Sequence, residues 1–253
     1  MKPLDFDAVR LYVNDNIDDF HRRKLASLER LILLALLKKN PYLFRAKNIT
    51  SAGDLIAGLL DAFLSSSEEK LFGDFLEGLA VFVAEQTCGG HKSAAQGVDL
   101  EFISRYTHYI VSIKSGPNWG NSSQHRRLAQ DLRDGVTRVR QSRAALNVQP
   151  VLGICYGKTR TTFHKAGYLK VVGQNFWYLI SENPDLYTEI IEPIGYQAKE
   201  HNERFGMGRA ALENRLTGQF IRDFCDVAGA IDWSRLVQAN SQNFDLTDFL
   251  PEI

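Results

Sequence analysis

The chain has 253 residues, of which 44% are hydrophobic and 24% charged. That composition excludes fibrous and disordered classes, and the length suits one large domain or a core with a helical appendage. The 30 basic and 30 acidic residues cancel overall but not locally: residues 1–101 carry 12 Lys+Arg against 15 Asp+Glu, residues 102–181 carry 12 against 2, and residues 182–253 carry 6 against 13. The basic middle block is a footprint for a polyanion, unless acidic neighbours in space neutralise it.

Three well-separated cysteines, Cys88, Cys155 and Cys225, give no C-x-x-C pair and no disulfide framework, which fits a reducing cytoplasm. The start of the chain does not read as a signal peptide, and the longest apolar run, residues 31–37, is too short to span a bilayer. The expectation is a cytoplasmic protein with no membrane partner.

In chain order, the first seventy residues read as helical. Leu25, Leu28, Leu31, Ile32 and Leu36 recur at spacings of three and four, and Asn40-Pro41 ends that helix. Residues 51–54 can start a second helix through Leu64. Ser66-Ser-Glu-Glu69 reads as a capping box for a third, through about Gln86, with Leu71, Phe75, Leu79, Phe82 and Val83 as its apolar stripe. Residues 1–66 are therefore expected to be a helical N-terminal region and a candidate dimerisation surface, with the core in residues 67–253.

The pattern changes at Gly89-Gly90. Residues 98–103 and 108–114 read as two strands of a hairpin broken at 104–107. Residues 115–121 are a loop rich in turn formers, after which Ser122 or Ser123 can cap a long helix to about Leu146. Its exposed face is basic: Arg126, Arg127, Arg133, Arg138, Arg140 and Arg143. Residues 150–156 then read as a buried strand. Strand, helix, strand predicts a crossover to a parallel neighbour, and so a mixed central sheet flanked by helices, an α/β class. Residues 169–180 add strand-like sequence, with a helix start at Gln174 as the other reading. Residues 210–225 give a clear later helix.

The chemistry concentrates at the hairpin. Side chains two apart on a strand share a face, so Ser112 and Lys114 lie together, and a paired neighbour can bring Asp99 to them. A carboxylate to hold a divalent cation, beside a lysine to orient or deprotonate an attacking water, is what phosphodiester hydrolysis requires. Small polar groups and a helix start follow directly. Ser115, Asn118, Trp119, Asn121, Ser122 and Gln124 can hold backbone phosphates, and Arg126 and Arg127 can reach phosphates or guanine edges. The plainer alternative is that Trp119 packs under the loop and the arginines stay in water.

Two other patterns are set aside. Residues 153–159, Gly-Ile-Cys-Tyr-Gly-Lys-Thr, come close to a phosphate-binding loop. They are one residue short between the glycines, and residues 161–163 do not read as the required helix, so no nucleotide cofactor is expected. Cys88-Gly-Gly-His91 has zinc-like spacing but no second pair.

Val98-Asp99 and Ser112-Ile113-Lys114, thirteen residues apart from Asp99 to Ser112, resemble the PD-(D/E)xK nuclease motif, specifically that of type II restriction endonucleases. Val stands where Pro is usual, and Ser where an acid is usual. The blocks Val111-Ser-Ile-Lys-Ser-Gly-Pro-Asn-Trp-Gly-Asn121 and Gly173-Gln-Asn-Phe-Trp-Tyr-Leu-Ile-Ser181 look like those of a subgroup reading degenerate palindromes with GG and CC arms. The likeness covers roughly residues 70–185. It implies a restriction-endonuclease-like core, a bacterial homodimer, double-stranded DNA as substrate, and Mg²⁺, replaceable by Mn²⁺. It implies Asp99 and the Ile113 carbonyl as metal ligands, with Asp99, Ser112 and Lys114 in the catalytic set. The acid missing at Ser112 would come from Asp131, with Asp134 one turn later, on the following helix, or from Glu77 on the preceding one. The helical angle of Glu77 sets it opposite the apolar stripe, where a solvated surface residue is the ordinary reading. Glu101, two residues beyond Asp99, shares its face. A structure-specific repair or junction nuclease, and a non-catalytic DNA-binding protein on the same core, remain open.

Overall fold

A computed structural model describes residues 1–142 and 147–243. Arg143 of the expected basic face and Leu146, the expected end of its helix, lie outside those residues.

The chain divides into two compact units. One comprises residues 1–20 and 70–198, the other residues 21–69 and 199–253. The division is discontinuous, unlike the expected split at residue 66. The reason lies in what packs with what. Leu28, Leu36, Leu55 and Leu60 of the early helices share a core with Leu212, Leu216 and Phe220 from the far end of the chain.

In the second unit, helix α1 (Phe6–Glu29), which begins in the first unit, is followed by the short helices α2 (Leu33–Leu36) and α3 (Pro41–Ala46). The expected continuous helix over Leu25 to Leu36 is broken at residues 30–32, where Ile32 is extended. The break lets Leu31 and Leu33, two apart, both enter the core, which an unbroken helix would forbid. Asn40 does not simply end a helix; its side chain accepts from the backbone of Tyr42 and Leu43 and caps α3, with Pro41 at the first position. Helix α4 (Ala52–Cys88) runs unbroken for 37 residues. The capping box read at Ser66 is therefore absent. The Ser66 hydroxyl instead donates back to the Ala62 carbonyl at 3.1 Å.

The first unit holds a six-stranded mixed sheet in the order β1-β2-β3-β4-β6-β5. Its strands are β1 (His91–Lys92), β2 (Leu100–Ser104), β3 (Thr107–Lys114), β4 (Asn147–Ile154), β5 (Thr162–His164) and β6 (Tyr168–Val172). The β2–β3 hairpin is antiparallel, with Leu100 opposite Val111 and Ser104 opposite Thr107. Its two-residue turn, Arg105-Tyr106, is left-handed at both positions, the conformation such hairpins require. Helix α5 (Ser122–Ser142) makes the expected crossover to β4, which lies parallel to β3, and β6 is parallel to β4. Asn121, not Ser122 or Ser123, caps α5: its side-chain oxygen accepts from the backbone of Ser123 and Gln124.

The period-two pattern sorts the sheet into two faces. Ile110, Leu152, Ile154 and Val172 pack with Leu128 and Leu132 of α5. Val111, Ile113, Val151 and Val171 pack with Val9 and Val13 of α1, Leu79 and Val83 of α4, and helix α6 (Gln174–Ser181). Trp177 of α6 is fully buried and donates from its indole nitrogen to the Cys155 carbonyl at 2.8 Å. The segment from Gln174 is thus helix rather than strand. Three further helices follow in the first unit or lead out of it: α7 (Leu186–Glu189), α8 (Ile191–Ile194) and α9 (Ala198–Phe224). Helix α10 (Trp233–Ser241) is capped by Asp232. Among the described residues no helix is long and apolar enough to cross a membrane.

Candidate active site at the end of the central hairpin

Lys114 is the last residue of β3, and Asp99 directly precedes β2, where its backbone N–H still donates to the Val111 carbonyl at 2.8 Å. Continuing the hairpin register sets Asp99 opposite Ser112. The side chains bear this out: Asp99 Oδ2 accepts from the Ile113 N–H at 2.6 Å and from Ser112 Oγ at 3.4 Å. Lys114 Nζ stands 3.8 Å from the same Oδ2 and donates to the Ile113 carbonyl at 2.8 Å. Both charged side chains are only partly covered, so they remain within reach of solvent and ligand. Ser112 is 1% exposed. It lies beneath Asp99 and steers that carboxylate rather than facing a ligand itself.

Glu77 is brought to this group from α4. It is not the solvated surface residue its helical angle suggests: its side chain is 28% exposed and pairs with Lys92 of β1 at 3.4 Å. Gly73, one turn earlier on the helix, faces Ser115, the residue after Lys114, at a spacing where even an added Cβ would stand in ordinary contact, 3.6 Å from Ser115 Oγ. Burial pushes the Glu77 carboxyl above the ordinary range. The charge of Asp99 pushes it further the same way, and Lys92 and Lys114 pull against that. A carboxyl that pays for ionisation beside the Asp99 charge, with the Ile113 backbone carbonyl close by, suits a hard divalent cation. Mg²⁺ takes one or two carboxylates and keeps several waters. Among the described residues no group of three or more His, Cys, Asp or Glu side chains forms a ready cage, and a cage of that kind would suit Zn²⁺ better.

The family model of type II restriction endonuclease EcoO109I matches residues 7–202. This chain belongs to that family. The match takes in α1 from its second residue, the whole sheet and α6, and so includes every residue of the site just described. Among curated proteins no relative matches the chain. The family is one of DNA-cleaving enzymes, and the mixed sheet flanked by helices is the fold expected for it.

Of the acids considered for the restriction-endonuclease site, Asp131 and Glu101 have other engagements. Asp131 packs on Gly97, which is left-handed, and its ion pair is with Arg127 at 3.9 Å. Asp134 accepts from Gln130. Glu101 shares the Asp99 face but is committed to Ser93, His108 and Arg138. Burial alone would raise its carboxyl. The Ser93 hydroxyl and the Arg138 guanidinium, with His108, outweigh that and hold it below the usual range. Arg138 is thus turned to Glu101 and is not part of a free basic face.

The residues after Lys114 are placed as a surface. Asn118, Asn121, Ser122, Gln124, Arg126 and Arg127 are exposed, and Ser115 is half-buried. Trp119 packs on the edge of the α5-side core and lies 4.3 Å from the His125 ring, with Lys114 Nζ 5.7 Å from its own ring centre. It therefore both packs and walls the lysine. Sequence reading missed Lys92. A two-residue edge strand leaves no periodicity to read, and only the pairing of β1 with β2, Lys92 opposite Leu100, carries it to Glu77. The Cys88 thiol donates to the Ala84 carbonyl at the end of α4, as a helix-terminal residue rather than part of a metal cluster.

Proposed function

We propose that this chain is a Mg²⁺-dependent type II restriction endonuclease that hydrolyses one phosphodiester in each strand of a specific duplex DNA site, with Mn²⁺ able to replace Mg²⁺. The observation that carries this is the juxtaposition of Asp99, Lys114 and Glu77 at one end of the central hairpin. Asp99, Glu77 and the Ile113 carbonyl would hold the cation. When bound, it polarises the phosphate and acidifies a water. Lys114 orients the attacking water and stabilises the charge that develops on the phosphoryl oxygens as the bond to the leaving oxygen breaks. Ser112 keeps Asp99 aimed. Ser115, Asn118, Trp119, Asn121, Ser122, Gln124, Arg126 and Arg127 hold the DNA alongside. Asp131, held against Gly97 and paired with Arg127, is the other candidate for the second acid; the charge of Asp99 acting on Glu77 favours Glu77.

Palindromic sites match two-fold proteins, so the working form is a homodimer, and the site belongs to the degenerate class with GG and CC arms. Ile32, Leu34, Tyr42 and Leu43, each half or more exposed, supply an apolar surface for self-association in the second unit. Incubation of a mixture of linear plasmids with the protein and Mg²⁺ tests the reading. Discrete fragments are expected, and Asp99→Ala should abolish them while leaving duplex binding intact. A smear would indicate cutting without sequence preference. Cutting that survives Asp99→Ala, or no cutting with Mg²⁺ or Mn²⁺, would overturn the assignment.

A further inference from the structure

In open α/β sheets ligands gather beyond the carboxyl ends of the parallel strands. Lys114 and Ile154 end β3 and β4 as register partners. The pairing continues past them: Cys155 N–H donates to the Lys114 carbonyl at 2.9 Å and Tyr156 N–H to the Ser115 carbonyl at 3.0 Å. At that point the chain changes character. Residues 151–155 are buried and residues 156–160 are exposed.

This exposed segment is braced on both sides. Gly116 lies directly against the Tyr156 ring, with no room for a side chain between them. Pro117 covers Gly157, which sits at φ +121°. On the other side Gly173, left-handed at φ +59°, abuts the Gly157 carbonyl, where a Cβ would come within 2.6 Å of the oxygen. Asn175 of α6 donates to Thr161 Oγ1 at 3.1 Å. The segment is thus fastened to the loop that follows Lys114 and to the start of α6.

On this brace stand Lys158 and Arg160. Both are exposed, and among the described residues neither has an ion-pair partner. The sequence supplies no Asp or Glu between residues 135 and 181. Two cations on a pre-ordered backbone, uncompensated and beside the Lys114 strand end, lose little freedom on meeting phosphates. A nucleotide is a poorer fit. A triphosphate loop needs a helix N-terminus after its lysine, and here the chain enters β5.

We propose that residues 156–161 form a backbone clamp on duplex DNA, with Lys158 and Arg160 taking phosphates next to the Lys114 site. The proposal rests on the nuclease reading above. The test measures duplex affinity against NaCl, with Ca²⁺ in place of Mg²⁺, for wild type and Lys158→Gln/Arg160→Gln. A second variant, Arg30→Gln/Lys38→Gln, removes the same net charge from exposed positions of the other unit. Losing two phosphate contacts flattens the salt dependence by about two units of slope. Between 50 and 200 mM salt the wild type should therefore lose roughly tenfold more affinity than the clamp variant. The clamp variant should melt at the wild-type temperature, and the second variant should keep the wild-type slope. Equal slopes for wild type and clamp variant overturn the proposal, as does the same flattening in the second variant. So does a rise in melting temperature with ATP or pyrophosphate that the clamp variant loses, which would make the segment a site for free phosphates. A wild type that binds no duplex at any salt sinks the nuclease reading as well. A steep wild-type slope with an unchanged clamp variant sinks only the clamp.

Discussion

Removing the Arg138 guanidinium is expected to destabilise the first unit far more than an ordinary surface ion pair would. Glu101 sits in β2 with its side chain 10% exposed, and its three partners, Ser93, His108 and Arg138, come from three different segments. Arg138→Met keeps the aliphatic stem but leaves a buried carboxylate short of its one permanent cation. Breaking a buried pair from one side costs about 3–5 kcal/mol, whereas exposed pairs contribute about 0–1 kcal/mol. Because the Arg138 side chain is 44% exposed, water replaces part of what is lost, and about 2–3 kcal/mol is the reasoned figure. For a chain of this size that corresponds to roughly 4–12 °C in melting temperature. The assay is thermal unfolding followed by the fluorescence of buried Trp177, for wild type, Arg138→Met, Glu101→Gln and the double variant. Glu101→Gln should recover much of the loss in the Arg138→Met background, since no charge is then stranded. The sign with pH is fixed. Glu101 is held below the usual range in the fold, so its contribution is present above the unfolded-state value of 4.5 and is lost as pH falls through the lower folded value. The gap between wild type and Glu101→Gln should close in that acid window. A loss under about 0.5 kcal/mol for Arg138→Met, typical of an exposed pair, or no recovery in the double variant, would refute the reasoning.

Further outcomes are expected for three site variants and for the thiols. Lys114→Ala should lower the single-turnover cleavage rate by about 10²–10⁴-fold while duplex affinity in Ca²⁺ changes little; an unchanged rate would remove the lysine from the chemistry. Glu77→Gln should abolish the rise in melting temperature that Mg²⁺ gives the DNA-free protein. It should also raise the melting temperature without Mg²⁺ at neutral pH, because the fold penalises ionised Glu77 through burial and Asp99. Asp131→Asn should leave the Mg²⁺ response intact, and the opposite ranking would transfer the second acid to α5. A thiol reagent applied to the native protein should modify Cys88 and Cys225 but spare Cys155, which is buried and whose thiol is pushed far above its ordinary range. Quantitative labelling of all three before unfolding would contradict the packing described.

The sheet was legible where local signals and tertiary demands agree. Alternating residues 108–114, the loop at 115–121 and the buried run at 150–156 gave the hairpin, the crossover and the parallel neighbour, because each needs only period two and a helix between. The α4 reading failed for the opposite reason. Ser66-Ser-Glu-Glu69 carries a start signal, but Phe63 and Leu64 on one side and Phe72 and Phe75 on the other are each held by a packed core. Burial on both sides overrides a cap worth about 1 kcal/mol. The discontinuous units were beyond reach for a related reason: nothing in residues 21–69 announces that Leu212, Leu216 and Phe220 will complete their core.

The site divides along the same line. Asp99, Ser112 and Lys114 come from one hairpin, so spacing and register brought them together on paper as they are in space. Glu77 depends on a helix passing the strand end at Gly73, and a one-dimensional helical wheel placed it in solvent. Such a wheel knows one wall, whereas α4 has neighbours on more than one side: the sheet takes Leu79 and Val83, while β1 takes Glu77 through Lys92. That geometry answers the objection raised by Ser112. The serine need not be replaced by an acid at the same strand position, because a hydroxyl there can hold Asp99 while the second carboxylate arrives from another layer. On the proposed reading, the carboxylate charge offered to a cation is then set by how α4 passes the hairpin. Gly73→Ala adds a carbon that would only reach ordinary contact with Ser115, so that approach and the response to Mg²⁺ should both be kept.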